Sequence, residues 1–180
     1  AGKLNINLNA YYMNFKNEIV LNGKFGPNGL ALTNKVDKSF RTGIEMSIAY
    51  QFNKSLRLIN NSSFNYSRIR EQQETFTPIL TPPVIINQEI EYSFKRFLLS
   101  LTGRYQHQSF IDFANTAAVK SYFLLNTSIQ YQFNHLLLTG FFNNITNTKY
   151  FNNGYVDFDG TKKYFVQAPV NFFLSATYRF

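Results

Sequence analysis

The chain has 180 residues, which is enough for one domain, and it combines 18% aromatic residues with a formal net charge of +8. It contains no cysteine, which excludes a disulfide framework and a thiolate metal site, and no run of about 18 apolar residues that would predict a transmembrane helix. Its lysines and arginines are scattered and form no nucleic-acid-binding motif, so we expect no nucleic-acid partner.

Eight segments of alternating hydrophobicity follow one another along the chain. In each, every second side chain is largely apolar and those between are largely polar, which is typical of a strand with one apolar and one polar face. A tilted strand of about ten residues can cross a hydrocarbon core. In the third segment Asn60 and Ser62 interrupt the apolar register. The segments are 3–21, 40–52, 56–68, 84–94, 97–106, 123–133, 136–145 and 170–180.

The last segment shows the alternation clearly and ends on an aromatic residue. Phe172, Leu174, Tyr178 and Phe180 share one register, while Arg179 and other polar residues occupy the second. A terminal Phe on such a strand resembles the C-terminal assembly signal of bacterial outer-membrane barrels. These four residues are therefore the predicted assembly signal. The alternative is a surface strand of a soluble β-protein.

Short and long connections alternate strictly between the segments. Tight turns are predicted at 53–55, 95–96 and 134–135, and aromatic pairs such as Tyr50/Phe52 and Tyr178/Phe180 lie beside one rim. Transmembrane barrels have short periplasmic turns and long outer loops, and such long loops are unusual in compact soluble domains. The pattern predicts an all-β, antiparallel, up-and-down transmembrane barrel rather than a soluble sandwich. The predicted long loops are 22–34, 70–83, 109–120 and 146–169.

Many cations fall in the predicted outer loops. In an outer membrane these loops would face phosphate-rich lipopolysaccharide, which attracts cations, although solvated loop charge explains the same pattern. The cations are Lys24, Lys35, Lys120, Lys149, Lys162 and Lys163.

Charged residues of the polar register are the predicted lumen sites. Across the turn at 95–96, Glu89 lies opposite Thr102, with Arg104 as its diagonal neighbour. The spacing favours a structural ion pair among Glu89, Glu91 and Arg104 over a substrate contact. Arg41 and Glu45 are further lumen candidates on the second segment.

No catalytic motif or cofactor site is present, so the sequence predicts that the protein is not an enzyme. His107, Ser109 and Asp112 could imitate the hydrolytic cluster of some outer-membrane barrels, but an interfacial or loop position is the favoured interpretation of His107.

Several segments resemble, in the right order, the C-terminal part of the TonB-dependent receptor barrel, particularly its Bacteroidetes form. Residues 15–20 and 38–45 resemble the family's "FKN-I" and "KS(Y/F)R-GIE" strands, and 103–112 resembles "GRY…(Y/F)-D". Residues 143–150 resemble "NNLFNKKY" with Ile145 and Thr146 in place of Leu-Phe, and 178–180 resembles the usual ending.

The resemblance implies a barrel of about 22 strands around an N-terminal plug that carries the TonB box. Residues 1–180 would be about its last eight strands, without the plug and earlier strands. The implied function is active uptake of a scarce nutrient, such as an iron chelate, haem, cobalamin or oligosaccharide, across the bacterial outer membrane. The implied partners are the plug and earlier strands, the TonB complex, the barrel assembly machinery, outer-membrane lipid and lipopolysaccharide, with a surface lipoprotein as a further candidate.

A self-contained eight-stranded barrel with a structural or adhesin role is the alternative. Two features argue that the chain does not close a barrel alone. Its lumen register is dominated by neutral polar groups that need water or a plug as partners. It also begins within a strand at Lys3, with no leader before it.

Overall fold

The computed structural model describes residues 2–71 and 73–180, and every regular element in them is a strand. Within these residues no helix is long and apolar enough to cross a membrane, an observation that concerns helices alone. The strands are β1 Lys3–Phe25, β2 Ala31–Gln51, β3 Leu56–Glu71, β4 Glu74–Phe76, β5 Val84–Phe94, β6 Phe97–Gln106, β7 Ser109–Phe110, β8 Ala118–Val119, β9 Tyr122–Phe133, β10 Leu136–Asn143, β11 Phe151–Val156, β12 Lys162–Val166 and β13 Asn171–Tyr178.

The eight predicted segments are confirmed as one antiparallel sheet with the order β1-β2-β3-β5-β6-β9-β10-β13. Three tight turns join β2 to β3, β5 to β6 and β9 to β10, as predicted. Lys95 and Asn134, the first residues of two turns, have φ values of 52° and 49°. In the described residues β1 pairs only with β2 and β13 only with β10, so the barrel wall is open.

The register separates the two faces as the alternation predicts. Glu89 lies opposite Thr102, and Leu101 lies between Ile90 and Thr127. We call the face that carries Leu101 the outer face and the one that carries Thr102 the inner face. The outer face includes Leu8, Ile48, Leu58, Ile90, Leu101, Ile129, Leu138 and Leu174; the inner face includes Asn7, Ser47, Asn61, Asn87, Thr102, Asn126, Ser128 and Ser175.

Aromatic side chains border the apolar band at both rims. Beside the tight turns, Tyr50 and Phe52 pack edge to face with ring centroids 4.4 Å apart. At the long-loop end, the Phe40 ring lies 6.3 Å from Tyr12 and 5.8 Å from Tyr66. The ten residue-to-residue steps from Phe40 to Tyr50 span about 33 Å along the strand, or about 25 Å in height at a tilt of about 40°. That height matches the lipid-facing band of an outer-membrane barrel.

The long connections are more ordered than the composition predicts. Much of the predicted loop 22–34 is strand, because β1 and β2 pair as far as Phe25 and Ala31. The predicted loops 70–83, 109–120 and 146–169 likewise contain β4, the β7–β8 hairpin and the β11–β12 hairpin. Hydrogen bonds between strand backbones do not require alternating apolar side chains. These short strands therefore cannot be recognised in the sequence from a hydrophobic period of two.

These connections pack into a unit that we call the loop cap, residues 17–38, 69–71, 73–83, 107–121 and 144–170. Val20, Val36 and Ile69 form one small core in it, and Ile111, Ala117 and Val119 form a second. At Gly23, whose φ is +79°, a Cβ would overlap the Ile111 carbonyl oxygen. This close approach fixes the β1–β2 hairpin against the second core.

Candidate functional site

A polar cluster occupies the inner face where β5, β6 and β9 reach the loop cap. The register places Asn87 beside Arg104 and Gln106 beside Tyr122. Arg104 donates from Nη1 to Asn87 Oδ1 at 2.9 Å and from Nη2 to Gln106 Oε1 at 3.1 Å. The Tyr122 hydroxyl donates to the same Gln106 oxygen at 3.0 Å. We call these four residues, together with Tyr150, the mouth cluster.

Tyr150 adds a second phenol from the loop after β10. Its ring centroid lies 4.7 Å from that of Tyr122. Burial raises the pKa of Tyr150, and the neighbouring Tyr122 raises it further, whereas Arg104 opposes the rise. The phenol therefore stays protonated and can donate a hydrogen bond at neutral pH.

The charge of Arg104 is not compensated by a carboxylate. In residues 2–71 and 73–180 the ion pairs are Arg41–Glu18 and Arg57–Glu91, and Arg104 bonds only neutral amides. A guanidinium has five N–H donors, so the cluster retains donors for a further acceptor. An anionic or oxygen-rich ligand is the chemical match for a cation near two phenols.

The structure corrects the predicted ion pair among Glu89, Glu91 and Arg104. Glu89 accepts a hydrogen bond from the Ser100 hydroxyl. Its partner therefore lies on β6, as predicted, but is not Arg104. Glu91 pairs with Arg57 at 3.3 Å, a partner on β3 rather than β6. Glu91 pairs with the residue directly opposite it on β3, because opposed side chains on a sheet are closer than diagonal ones. Glu89 bonds Ser100, which is its diagonal neighbour on the side away from Arg104.

The other lumen candidates, Arg41 and Glu45, lie on the inner face of β2. Arg41 pairs with Glu18 at 2.8 Å, and Glu45 accepts from Asn9 Nδ2 at 3.2 Å. Glu18 was missed by sequence reasoning, because strict alternation assigns it to the outer face. Asn17 has a φ of 55°, and this left-handed residue changes the facing of the strand beyond it.

The disfavoured alternative, a hydrolytic cluster of His107, Ser109 and Asp112, is not assembled. His107 Nδ1 lies 3.0 Å from the Tyr105 hydroxyl. Ser109 is buried and pairs with Val119, and Asp112 accepts from the Thr116 and Ala117 amides. Asp112 therefore shapes a loop, and the described residues contain no group of acidic or histidine side chains placed to hold a metal ion.

Asn144 organises the loop that follows β10. Asn144 is buried, and its backbone N–H donates to Asn126 Oδ1 on β9 at 2.8 Å. Its side chain accepts from the Thr148 amide and donates to the Thr148 carbonyl, each at 2.9 Å. The neighbouring Asn143 donates to Asn171 Oδ1 at 3.0 Å, so both asparagines bond polar groups at the end of β10.

The residues of the predicted assembly signal lie along the outer face of β13. Phe172, Leu174 and Tyr178 pair with Phe142, Gly140 and Leu136 of β10. The rings of Tyr178 and Phe180 meet edge to face with centroids 5.2 Å apart. The three aromatic side chains and Leu174 are exposed, and they form one apolar row.

Comparison with known proteins gives one family and one fold. The family model described as "TonB dependent receptor-like, beta-barrel" matches residues 1–178. No curated protein sequence matches the chain.

Three solved structures illustrate the shared fold. The siderophore receptor PiuA from Acinetobacter baumannii is 15% identical, with a TM-score of 0.75 over 97% of this chain and 26% of its own. The ferric-catecholate import receptor Fiu from K12 E. coli, in its closed form, is 16% identical, with a TM-score of 0.76 over 98% and 25%. The unliganded ferric citrate transporter FecA is 19% identical, with a TM-score of 0.80 over 98% and 29%. The chain thus spans about a quarter of the length of these structures.

Proposed function

This chain belongs to the TonB-dependent receptor family of β-barrels, and from that premise we propose that it forms the C-terminal part of the barrel of a receptor for active nutrient uptake. The family match over residues 1–178 is the observation that carries the proposal. The barrel would lie in the bacterial outer membrane, with the tight turns in the periplasm and the loop cap outside.

The open sheet supports a larger barrel of about 22 strands. A self-contained eight-stranded barrel would need β1 to pair with β13, and in the described residues these strands pair only with β2 and β10. Refolding of residues 1–180 alone in detergent tests this point. We expect no heat-modifiable, protease-resistant monomer, and a stable monomer would favour the eight-stranded alternative.

A ferric chelate is the ligand class that we favour. Similar structures include a siderophore receptor, a ferric-catecholate import receptor and a ferric citrate transporter. Chelates of this kind present anionic oxygens, for which the guanidinium of Arg104 and the phenols of Tyr122 and Tyr150 are suitable donors. Haem, cobalamin and oligosaccharide remain the alternative ligands.

The proposed partners follow from this role. A plug would occupy the lumen and contact the polar inner face, and the TonB complex would supply energy through the plug. Phe172, Leu174, Tyr178 and Phe180 would engage the barrel assembly machinery. The loop cap offers a surface to a lipoprotein on the cell exterior and contacts lipopolysaccharide at its edge.

Uptake by cells that carry the complete gene tests the proposal. Ferric chelates, haem, cobalamin and oligosaccharides in radioactive form are compared in cells with and without the gene. Uptake of one of them should require the gene and should stop when a protonophore removes the inner-membrane energy supply. Arg104→Gln should weaken that uptake, whereas Arg57→Gln, at the opposite end of the inner face, should have less effect. Gene-independent uptake of all four classes would contradict the proposal.

Cysteine labelling on intact cells tests the orientation. Cysteines at Lys24, Thr77 and Gly160, all in the loop cap, should react with an impermeant reagent. A cysteine at Lys54, in a tight turn, is the control and should react only after lysis. The reverse pattern would show that the chain is inserted with the other orientation.

A further inference from the structure

Two adjoining cavities lie at the boundary between the outer face and the loop cap, and both are lined by Phe123. The upper cavity, of about 620 Å³, lies between the segment that precedes β9 and the loop that follows β10. Tyr122 and Tyr150 of the mouth cluster also line it, so the cavity adjoins the proposed ligand site. The lower groove, of about 290 Å³, lies on the outer face of β5, β6 and β9. Because Phe123 borders both, they form one continuous surface that runs from the loop cap into the apolar band.

The lower groove exists because β6 has a glycine where its neighbours have side chains. Gly103 lies between Gln88 and Leu125 in the sheet register. A Cβ at this position would lie 3.2 Å from the Phe123 ring, which covers part of the glycine. Ile90, Leu101 and Leu125 complete walls that are mostly apolar, with Gln88 as a polar lining residue, and that face lipid in the proposed orientation. The groove suits a hydrocarbon chain.

The upper cavity carries positive charge without a compensating carboxylate. Lys120 and Lys149 are the charged side chains among its lining residues, and both are exposed. Neither belongs to the ion pairs Arg41–Glu18 and Arg57–Glu91, which are those of residues 2–71 and 73–180. Two uncompensated ammonium groups favour an anion with several oxygens, such as a phosphate.

Hydroxyl groups line the same cavity and are held by the surrounding backbone. Thr146 and Thr148 place their hydroxyl oxygens 2.9 Å apart, and the Thr148 amide is fixed by Asn144. The Ser121 hydroxyl accepts from the Gln108 amide at 2.9 Å. The polar part of the cavity is therefore pre-organised rather than formed by mobile side chains alone.

We propose that these cavities bind a phosphorylated lipid of the outer leaflet, with its phosphate between Lys120 and Lys149 and one acyl chain in the groove over Gly103. Charge complementarity argues for the phosphate, and the continuity of the two cavities through Phe123 argues for a lipid rather than a free ion. Lipopolysaccharide is the lipid with this chemistry in the outer leaflet. The inference rests on the proposed function for its membrane orientation.

Native mass spectrometry of the complete protein, purified from outer membranes, tests the proposal directly. The double variant Lys120→Gln/Lys149→Gln is compared with Lys162→Gln/Lys163→Gln, a control that removes two exposed cap lysines outside the lining. Each lysine near an anionic lipid surface contributes about fivefold to affinity, so the first variant should retain lipid about 25-fold less tightly. The control should match the wild type. Equal retention in all three proteins would overturn the proposal.

The source of the phosphate is distinguished by competition. Inorganic phosphate and dephosphorylated lipid are each offered to the lipid-loaded protein. Failure of both to displace the bound lipid supports the site, because each supplies only one half of the contacts. Displacement by inorganic phosphate at millimolar concentration would show an ion site only and would overturn the lipid assignment.

Photo-crosslinking tests the groove without depending on Lys120 and Lys149. A photoreactive residue at Leu125, in the groove, should capture phosphorylated lipid more often than one at Leu174, on the outer face of β13. Equal capture would overturn the acyl-chain placement. None of these measurements requires transport, so failed uptake with specific lipid binding would contradict only the proposed function.

Discussion

The band between the two aromatic girdles and the loop cap stabilise the same chain in different ways. The fully buried large side chains Val36, Ile69, Ile111 and Val119 all lie in the cap. In the band, Leu8, Leu101 and Leu174 are exposed on one face of a sheet that covers no core. The cap therefore resembles a small soluble unit with two cores, whereas the apolar side chains of the band require lipid.

The polar side chains of the two regions also form different kinds of hydrogen bond. In the cap, Asp112 and Asn144 bond backbone amides and shape turns. On the outer face of the band, polar side chains are bonded to one another and to the sheet. Ser62 donates to Asn60 Oδ1 at 2.8 Å, Asn60 donates to Gln88 Oε1 at 3.1 Å, and Gln88 donates to the Ile59 carbonyl at 2.8 Å. These linked bonds satisfy the two amides, as a lipid-facing surface without water would require.

The largest expected contrast comes from removing matched isoleucine side chains. Ile111→Ala leaves a cavity in a cap core, and such changes cost about 2–5 kcal/mol. Ile129→Ala on the outer face should cost less, because lipid chains fill the space and no cavity remains. Hydrogen exchange of the native protein in membranes measures the free energy of local opening for each region. Equal losses of protection in the two variants would show that the cap does not depend on its own core.

A charge introduced into the band tests the assignment of its two faces. Leu101→Arg places a guanidinium among acyl chains, which costs about 2–4 kcal/mol near the midplane. Thr102→Arg, the adjacent residue on the inner face, should be tolerated because the lumen offers water and polar partners. Folded protein in the outer membrane is measured by heat-modifiable migration on gels. Ile129→Arg with Ser128→Arg and Leu174→Arg with Ser175→Arg repeat the comparison. Similar damage within each pair would contradict the assignment of the two faces.

Sequence reasoning succeeds in the band because one physical rule applies there. A side-chain period of two, with an apolar environment on one face, leaves a regular alternation in the sequence. Even Asn60 and Ser62, which interrupt the apolar register, lie on the outer face to which the alternation assigns them. The register across the β5–β6 turn, with Glu89 opposite Thr102, follows from the turn length alone.

The same reasoning is weaker for the cap and for ion pairs. The cap hairpins depend on contacts between distant segments, such as the 2.7 Å bond from the Thr77 amide to Asn115 Oδ1, which no local pattern encodes. The pairing of Arg57 with Glu91 needed the position of β3 beside β5. To predict the pairing of Glu18 with Arg41, one would have to know that Asn17 adopts a left-handed conformation. The only local signal of that conformation is the asparagine itself within a strand.

A smaller effect is expected where the two regions meet, at Asn144. Asn144→Ala removes the bonds to Thr148 and leaves a φ of 49° to a residue that disfavours it, which should cost about 1–3 kcal/mol. Asn144→Gly relieves the backbone but not the lost bonds, so it should fall between alanine and wild type. Asn143→Ala, which removes one exposed bond, is the control. Hydrogen exchange in residues 144–150 provides the measurement, and an unchanged exchange rate in Asn144→Ala would contradict this role.

The smallest effect is expected at the tip of the cap, where only an exposed turn is concerned. The Thr161 amide donates to Asp159 Oδ1 at 2.8 Å, and this bond, with help from the Thr161 hydroxyl and Lys163, lowers the pKa of Asp159 below its ordinary value. A carboxyl whose pKa is lower in the folded state stabilises that state above the unfolded pKa of about 3.9, and the stabilisation is lost as the pH falls through the folded pKa. Pepsin cleavage at the neighbouring Phe158, which is 90% exposed, reports on this turn. Between about pH 4 and pH 2, the cleavage rate of the wild type should rise relative to Asp159→Asn, which keeps an acceptor oxygen but cannot titrate. A rate ratio that stays constant over this range would show that the charge of Asp159 does not hold the turn.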